Sequence, residues 1–423
     1  MPTEFYQASY WRSIGAPLLL LFLTGHAGAE GLSFEAALQA AETTAPQLQA
    51  RRAAMTSAEE AAPAADALPD PKAFVGIDNL PVDGADRFST NSDFMTMKKI
   101  GLMQEFPGAG KRQARAEGAQ AQVGLAQAQL QLEVINVRIE TATAWLNRYY
   151  LNRQLGLFAE LDQENRLLGE VVKAQLASGR GMATDALLPR QEGIALNNRR
   201  DELQRDIAKA DASLQRWLGD EAQEGLVGEP PQFSVDAPSL RQHVRHHPEL
   251  LLFQPMAAQV AAELHEAEAS RRPGWGVELA YQDRGSAYSN MMSVQVSMDL
   301  PLFAGTRQNP LIRSRQQALL SLEAEREAML REHQAVLEAD VADYTALTQR
   351  LDRLQKDALP LAQDKVDLQM AAYRNGRFDL TQVLQARRDL RELRLQILSV
   401  ENQQQVLAAR LHFLFENHEE TAP

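Results

Sequence analysis

Hydrophobic and polar positions along this chain follow two periods, and the pair of periods occurs twice. A stretch from about 33 to 219 and another from about 238 to 416 run through one order: helix, proline, strand, loop, strand, glycine turn, very long helix, Gly-Arg turn, returning helix. Ala45-Pro46 answers His247-Pro248, and Pro71 answers Pro273. Phe106-Pro107-Gly108-Ala109-Gly110-Lys111-Arg112 answers Leu300 to Arg307, and Ser178-Gly179-Arg180 answers Asn375-Gly376-Arg377. Such a duplication of a unit too long for a globular core predicts an elongated wall.

The period of two is clearest in the second copy. Trp275, Val277, Leu279 and Tyr281 alternate with Gly276, Glu278, Ala280 and Gln282, and Met292, Val294, Val296, Met298 and Leu300 alternate with Ser293, Gln295, Ser297 and Asp299. Strict alternation puts the apolar set on one face. It predicts strands at about 275–282 and 291–300, with 282–290 a polar loop. In the first copy Ala73, Val75 and Ile77 alternate, and Ile100, Leu102 and Phe106 can share a face with Glu105 on the other, predicting strands at about 72–79 and 94–106. Lys98 and Lys99 break that pattern unless they lie near a rim, where long side chains snorkel. About nine residues is also the length with which a tilted strand crosses a bilayer. Four strands cannot close a barrel of useful width, since about eight are needed merely to fill one with side chains. Closure would take several chains.

The helical period dominates elsewhere. From about 111 to 177, Ala114, Ala121, Ala128, Ile135 and Ala142 recur every seventh residue, interleaved with Leu125, Leu132, Ile139 and Leu146, which is a coiled-coil seam. Its counterpart at about 311–373 holds its seam on Leu337, Val341, Tyr344, Leu347, Leu351, Leu354 and Ala358, with a kink expected at Pro360. Each rod should be roughly 95 to 100 Å long. The returning helices, about 184–218 and 380–415, cover only about 50 to 55 Å each at the helical rise. Stacking of Pro248 to Ser270 on the first and of Phe34 to Ala65 on the last is expected to make up the difference. The units read as 1–29, 30–219, a Pro- and Gly-rich connector at 220–239 at mid-length, 240–416, and a tail at 417–423.

Composition narrows the setting. Arg12, the apolar run Pro17 to Leu23 and Ala27-Gly28-Ala29 have the form of a signal peptide cleaved after Ala29, which predicts export. The absence of cysteine in 423 residues excludes disulfides, thiolate metal sites and a lipidated N-terminal Cys. A net charge of −13 disfavours nucleic acid. No mature segment is apolar for long enough to be a membrane helix, so any crossing must be made by strands. There is no nucleophile elbow, phosphate loop, cofactor motif or paired-carboxylate signature, so no enzyme and no cofactor are expected.

The turns carry the sharpest local signal. Gly376 supplies a left-handed helix end, and Asp379 with Gln382 can cap the helix that follows. Tyr373-x-x-Gly376 followed by Val383-Leu384-Gln385-Ala386, together with Gly179 and Thr184-Asp185 in the first copy, resembles the two periplasmic tips of the TolC family of outer-membrane factors. The resemblance covers nearly all of the mature chain. It implies a mainly α fold with a β membrane part: a homotrimeric twelve-stranded β-barrel continued by a long α-helical coiled-coil barrel, with two structural repeats per chain. It implies an outer-membrane setting, a periplasmic adaptor (membrane fusion protein), and an inner-membrane efflux pump of the resistance-nodulation-division type. It makes Gly179, Arg180, Thr184, Asp185, Tyr373, Gly376, Arg377, Asp379, Gln382 and Gln385 the tip, gate and adaptor contact. Gln382 and Gln385 stand where some members carry constricting acids, which argues against an acidic gate there. Asp78 to Gly84, Phe94-Met95-Thr96-Met97 and Met103 to Pro107 look most like the heavy-metal efflux branch, the Czc and Cus type.

The expected function is a passive exit duct, with Glu105, Glu278 and Asp299 facing the lumen and copper, silver, zinc or cobalt as cargo. The same duct exporting drugs is one alternative, and a soluble periplasmic coiled-coil scaffold or adaptor is another. Met95, Met97 and Met291 offer soft ligands, but strand packing is the favoured reading of them. His243, His246 and His247 lack the spacing of a zinc motif and read first as a solvated polar cluster.

Overall fold

A computed structural model describes residues 31–179, 181–377 and 379–415. The expected signal segment, Arg180 of the first tip and the tail at 417–423 lie outside the described residues. Two helices open the described residues, α1 (Phe34–Thr44) and α2 (Pro46–Asp66), where one had been expected. Ser33 Oγ caps α1 by accepting from Ala36 N–H at 3.1 Å. Pro46, lacking an N–H, ends one helix and fits the first turn of the next. Strands β1 (Lys72–Asp78) and β2 (Met97–Phe106) then lead to α3 (Ala109–Ala177), a single helix of 69 residues. At 1.5 Å per residue it is about 100 Å long. The chain returns through α4 (Leu188–Leu218), whose Pro189 sits in its first turn. The expected helical start at 184 is instead a 3₁₀ turn over Ala183–Leu187.

The second half repeats the order with more interruptions. Short α5 (Ala237–His243) and α6 (Pro248–Leu251) precede α7 (Phe253–Ala269), strands β3 (Trp275–Asp283) and β4 (Met291–Met298), α8 (Gln308–Arg353), α9 (Leu359–Arg374) and α10 (Leu380–Phe415). Helix α5 begins inside the segment read as connector. Helices α8 and α9 form one rod through a π-helical turn at Leu354–Ala358, just ahead of Pro360. The wider turn accommodates a proline that cannot donate to the preceding turn.

The rods lie side by side in a fixed order. Helix α3 packs against α2 and α7 on the half nearer the strands and against α4 and α10 on the other half, while the α8–α9 rod packs on α7 and α10. The stacking thus differs from expectation. Thr44 Oγ1 at the end of α1 donates to the Trp217 carbonyl at the end of α4 (3.2 Å), and His247 packs on Phe415 of α10 with ring centroids 5.9 Å apart. The N-terminal helices therefore cap α4, and α6–α7 cap α10. A short tether imposes this arrangement. Leu32 N–H donates to Gly225 O (2.8 Å) and Val227 N–H to Leu32 O (3.2 Å), so the segment before α1 pairs with the chain just past α4. Buried Trp145 at mid-α3 donates through Nε1 to Leu32 O and packs edge-on to Phe34. The largest hydrophobic core gathers there, with Leu48, Leu146, Leu214, Trp217, Leu218 and Phe413.

The four strands form one antiparallel sheet in chain order, β1-β2-β3-β4. Register aligns Val75, Ile100, Tyr281 and Met292, and likewise Ala73, Leu102, Leu279 and Val294. Strand β2 starts at 97 rather than 94, because Met95 N–H turns back to Asp93 Oδ1 (2.6 Å) and buried Thr96 donates to Asn79 O. Strand β4 stops before Asp299, whose N–H donates to Gly274 O.

Candidate functional site

Three regions hold the residues singled out by sequence: the far turns, the sheet, and the mid-length joint. At the far end both hairpins share one core. Leu168 and Val172 of α3, Tyr373 of α9, and Leu380, Val383 and Leu384 of α10 are buried together, and Gln175 Nε2 donates to Arg374 O (3.4 Å). Gly179 (φ 71°) and Gly376 (φ 70°) close the two turns in the left-handed region. Gly376 N–H bonds Tyr373 O (2.9 Å) and Arg377 N–H bonds Ala372 O (3.0 Å), satisfying the last carbonyls of α9. Asp185 Oδ2 accepts from Met182 N–H (3.1 Å), so its carboxylate braces the first turn. At the second turn Gln382 N–H meets the backbone carbonyl of Asp379 (3.2 Å). Thr184, Arg377 and Gln382 are exposed, and Gln385 Nε2 donates to Asp389 Oδ1 (2.8 Å), which also pairs with Lys365 of α9. Tyr373 is the buried member of the set, and its hydroxyl makes no hydrogen bond among the described residues. Burial, and then the charge of Asp185, push its phenol up.

On the sheet the two faces are chemically distinct. One carries Val75, Ile77, Ile100, Leu102, Leu279, Tyr281, Met292, Val294, Val296 and Met298, all exposed, from 46% for Leu279 to 79% for Val75. Among the described residues nothing covers this face. Phe106 and Trp275 stack at one end (centroids 4.2 Å apart), and Tyr281 lies toward the other, its hydroxyl accepting from Asn290. The opposite face holds the expected acids, but not bare. Glu105 pairs with Lys72 (2.6 Å) and Glu278 with Lys99 (2.8 Å). Lys99 therefore belongs to the polar face, whereas Lys98, on the apolar face, reaches Asn91 in the adjoining loop (2.8 Å). Asp299 lies past β4, beside Glu105 and Arg307 in a cavity of about 800 Å³ where sheet meets helices. Gly101 has a steric role: a Cβ there would lie 2.4 Å from the Phe74 ring and 2.6 Å from Leu279 O.

The methionines do not converge. Met97 on β2 and Met291 on β4 share a face with β3 between them, two strand spacings apart and two residues out of register, or about 12 Å. Met95 is in the loop. Nor do the three histidines form one cluster: His243 Nδ1 turns to Ser239 O (2.8 Å), His246 is exposed, and buried His247 stacks on His333 of α8 with centroids 3.6 Å apart. Burial, then His333 and Arg410, push His247 down to about 4.

Sequence reasoning missed two features, because their partners lie far along the chain. His333 and Glu249 join His247 at the joint. Glu192 of α4 is 7% exposed and receives Arg388 (2.8 Å) and Arg391 (2.7 Å) of α10. An acid and bases on two amphipathic helices carry no mark of pairing until those helices are known to be neighbours.

Residues 257–415 match the Outer membrane efflux protein family. No curated protein matches the chain. Among solved structures, CusC is similar over 90% of this chain and 91% of its own, with a TM-score of 0.75 at 17% identity. A membrane protein from Pseudomonas aeruginosa aligns over 90% and 92% (TM-score 0.77, 15% identity), and the outer membrane protein VceC from Vibrio cholerae over 90% and 95% (TM-score 0.72, 18% identity). At these identities the likeness is one of fold: mostly helical, with paired strands at one end of long rods.

Proposed function

We propose that this chain, as an outer membrane efflux protein, is one of three subunits of a passive exit duct. The observation that carries the reading is the uncovered apolar face of a four-stranded sheet seated on rods about 100 Å long. An exposed apolar surface of that extent in water marks an interaction or membrane site. Strands β2 and β3, at 10 and 9 residues, have bilayer-spanning length, β1 and β4 at 7 and 8 fall just short of it, and aromatic residues lie near both ends as at a lipid interface. The outer strands β1 and β4 have free edges, and a closed barrel removes edges altogether. Three chains supply twelve strands. A soluble scaffold would need a second sheet over the apolar face, and the described residues supply none.

In this reading the far turns are the periplasmic gate and the contact for a periplasmic adaptor, which links the duct to an inner-membrane pump of the resistance-nodulation-division type. Tyr373 and Asp185 sit where the two hairpins meet. Asp185 also holds the first turn, so displacement of that turn would expose the phenol and loosen the shared core. The duct performs no chemistry; energy comes from the pump.

For cargo we propose heavy-metal cations, on the resemblance of Asp78 to Gly84 and Phe94 to Met97 to the metal-efflux branch. One observation favours the alternative of drugs or other small molecules: Glu105 and Glu278 are each neutralised by a lysine, which weakens any cation-selective ring. Two measurements decide. The mature protein should fractionate with the outer membrane and be recovered as a trimer only in detergent; recovery from the soluble periplasm sinks the duct. Deleting the gene should lower tolerance to copper, silver, zinc or cobalt. Loss of drug tolerance alone would overturn the metal assignment.

A further inference from the structure

Outside the tip and the sheet, one cluster of ligating side chains stands apart. His247, Glu249 and His333 each bring one donor atom to within 4.8 Å of the other two. His247 and Glu249 flank the start of α6, and His333 is presented by α8 across the joint. We propose that these three residues bind one divalent transition cation of the zinc class.

The geometry supports an ion more than a finished hydrogen-bond network. His333 Nε2 is buried and lies 3.2 Å from Glu249 Oε2, yet off the line needed for a hydrogen bond, so it has no such partner. An orphaned buried nitrogen is costly, and a bound cation would satisfy it. His247 Nδ1 accepts only a long bond (3.3 Å) from Glu249 N–H, which an ion on that nitrogen would displace. Glu249 is 45% exposed and opens the pair to solvent, which gives an entry path. Two nitrogens and one carboxylate oxygen, with no sulfur, form a borderline donor set suited to zinc, with a fourth position for water. On a tetrahedral ion the ligand atoms sit about 3.4 Å apart, so side-chain rotation must close the widest gap by little more than about 1 Å. The rings now lie face to face, tilted by 22°, which leaves their lone pairs side by side; binding swings one ring out of the stack. The nearby Arg410 guanidinium lies 3.8 Å from the Asp340 carboxylate, so the incoming cation does not meet an uncompensated charge.

Such an ion would pin the head of a jointed rod, α6–α7 over α10, to the continuous α8. The inference goes beyond the duct reading and does not depend on it. The test uses the full mature chain without a histidine tag, purified in detergent, stripped with a chelator and titrated with zinc against a chromophoric competitor. Cobalt serves as the spectroscopic probe. We expect one zinc per chain, four-coordinate cobalt absorption, and at least about ten-fold weaker binding in both Glu249→Gln and His333→Gln. His243→Gln, outside the cluster, should bind as the parent does. Circular dichroism confirms that each variant is folded, and the exposed Glu249 carries the test if His333→Gln does not fold. Loss of all zinc to the competitor by the parent protein, parental affinity in folded Glu249→Gln, or an equal loss in His243→Gln would overturn the proposal.

Discussion

A carboxylate buried between two helices is tolerated when its charge is met, and Glu192 is met twice. Arg388 and Arg391, one turn apart on α10, reach its two oxygens, so the pair of rods is held by a charge that neither rod satisfies alone. Truncating one partner of a buried pair leaves the other desolvated and unpaired, at about 3–5 kcal/mol. Because Arg388 is 45% exposed and Arg391 keeps Glu392 at 3.2 Å, Glu192→Ala should cost less than that full figure, seen as a lowered denaturation midpoint of the detergent-solubilised protein, and adding Arg391→Met should restore part of it; an unchanged midpoint would show that the clamp is solvated. Tyr150 gives a second readout at this scale. Burial first, then the charge of Glu401, push its phenol up to about 12 from 10.0. Because the folded value is the higher one, its contribution to stability is complete below pH 10.0 and is lost as pH rises from there toward about 12. An ultraviolet titration should show phenols ionising late, and Tyr150→Phe should remove the last step while leaving that of Tyr373. Neither residue stood out in sequence. Glu192 reads as one more charge on an amphipathic helix and Tyr150 as one more aromatic on a long one, because what makes each unusual comes from a different rod.

Elements were more legible than their neighbours. Alternation from Trp275 onward locates β3 within a residue, because a strand with one uncovered face must keep strict parity. Lys98 and Lys99 broke the pattern only locally: one side chain reaches the adjoining loop, and the other finds Glu278. The long helices were legible from seven-residue recurrence, although a π turn rather than a sharp kink absorbs Pro360. Which short helix stacks on which was not legible, since helix ends carry no pairing code. The tether from Leu32 to Gly225 and Val227 decides it. The turn glycines offer a test at this scale. Gly376 holds a φ of 70°, where a Cβ costs about 1–2 kcal/mol. Gly376→Ala should therefore loosen the end of α9 and the start of α10, seen as faster amide hydrogen exchange over residues 370–385 with the sheet unaffected. Uniform exchange across the chain would contradict a local role.

At the scale of the whole molecule, the four strands and four rods make a wall with two open sides. One side is β1 with the α2 and α4 stack, and the other is β4 with the α8–α9 rod. The chain has no cysteine, so introduced thiols report without background. Cysteine pairs scanned along β1 and β4 should yield covalent trimers on oxidation in membranes; a scan that gives only monomers would refute closure between copies. The sheet also has a history written into its order. Phe106 and Trp275 are partners in register, yet the whole of α3, α4 and the joint separates them along the chain. Pairings so distant in sequence form slowly, because loop closure must precede the contact that rewards it. A newly made chain therefore spends time with the β3-facing edge of β2 unpaired and its apolar residues in water, when edge strands recruit wrong partners. Folding, more than the finished wall, is where this architecture is vulnerable, and it depends on keeping the first half open until the second has arrived.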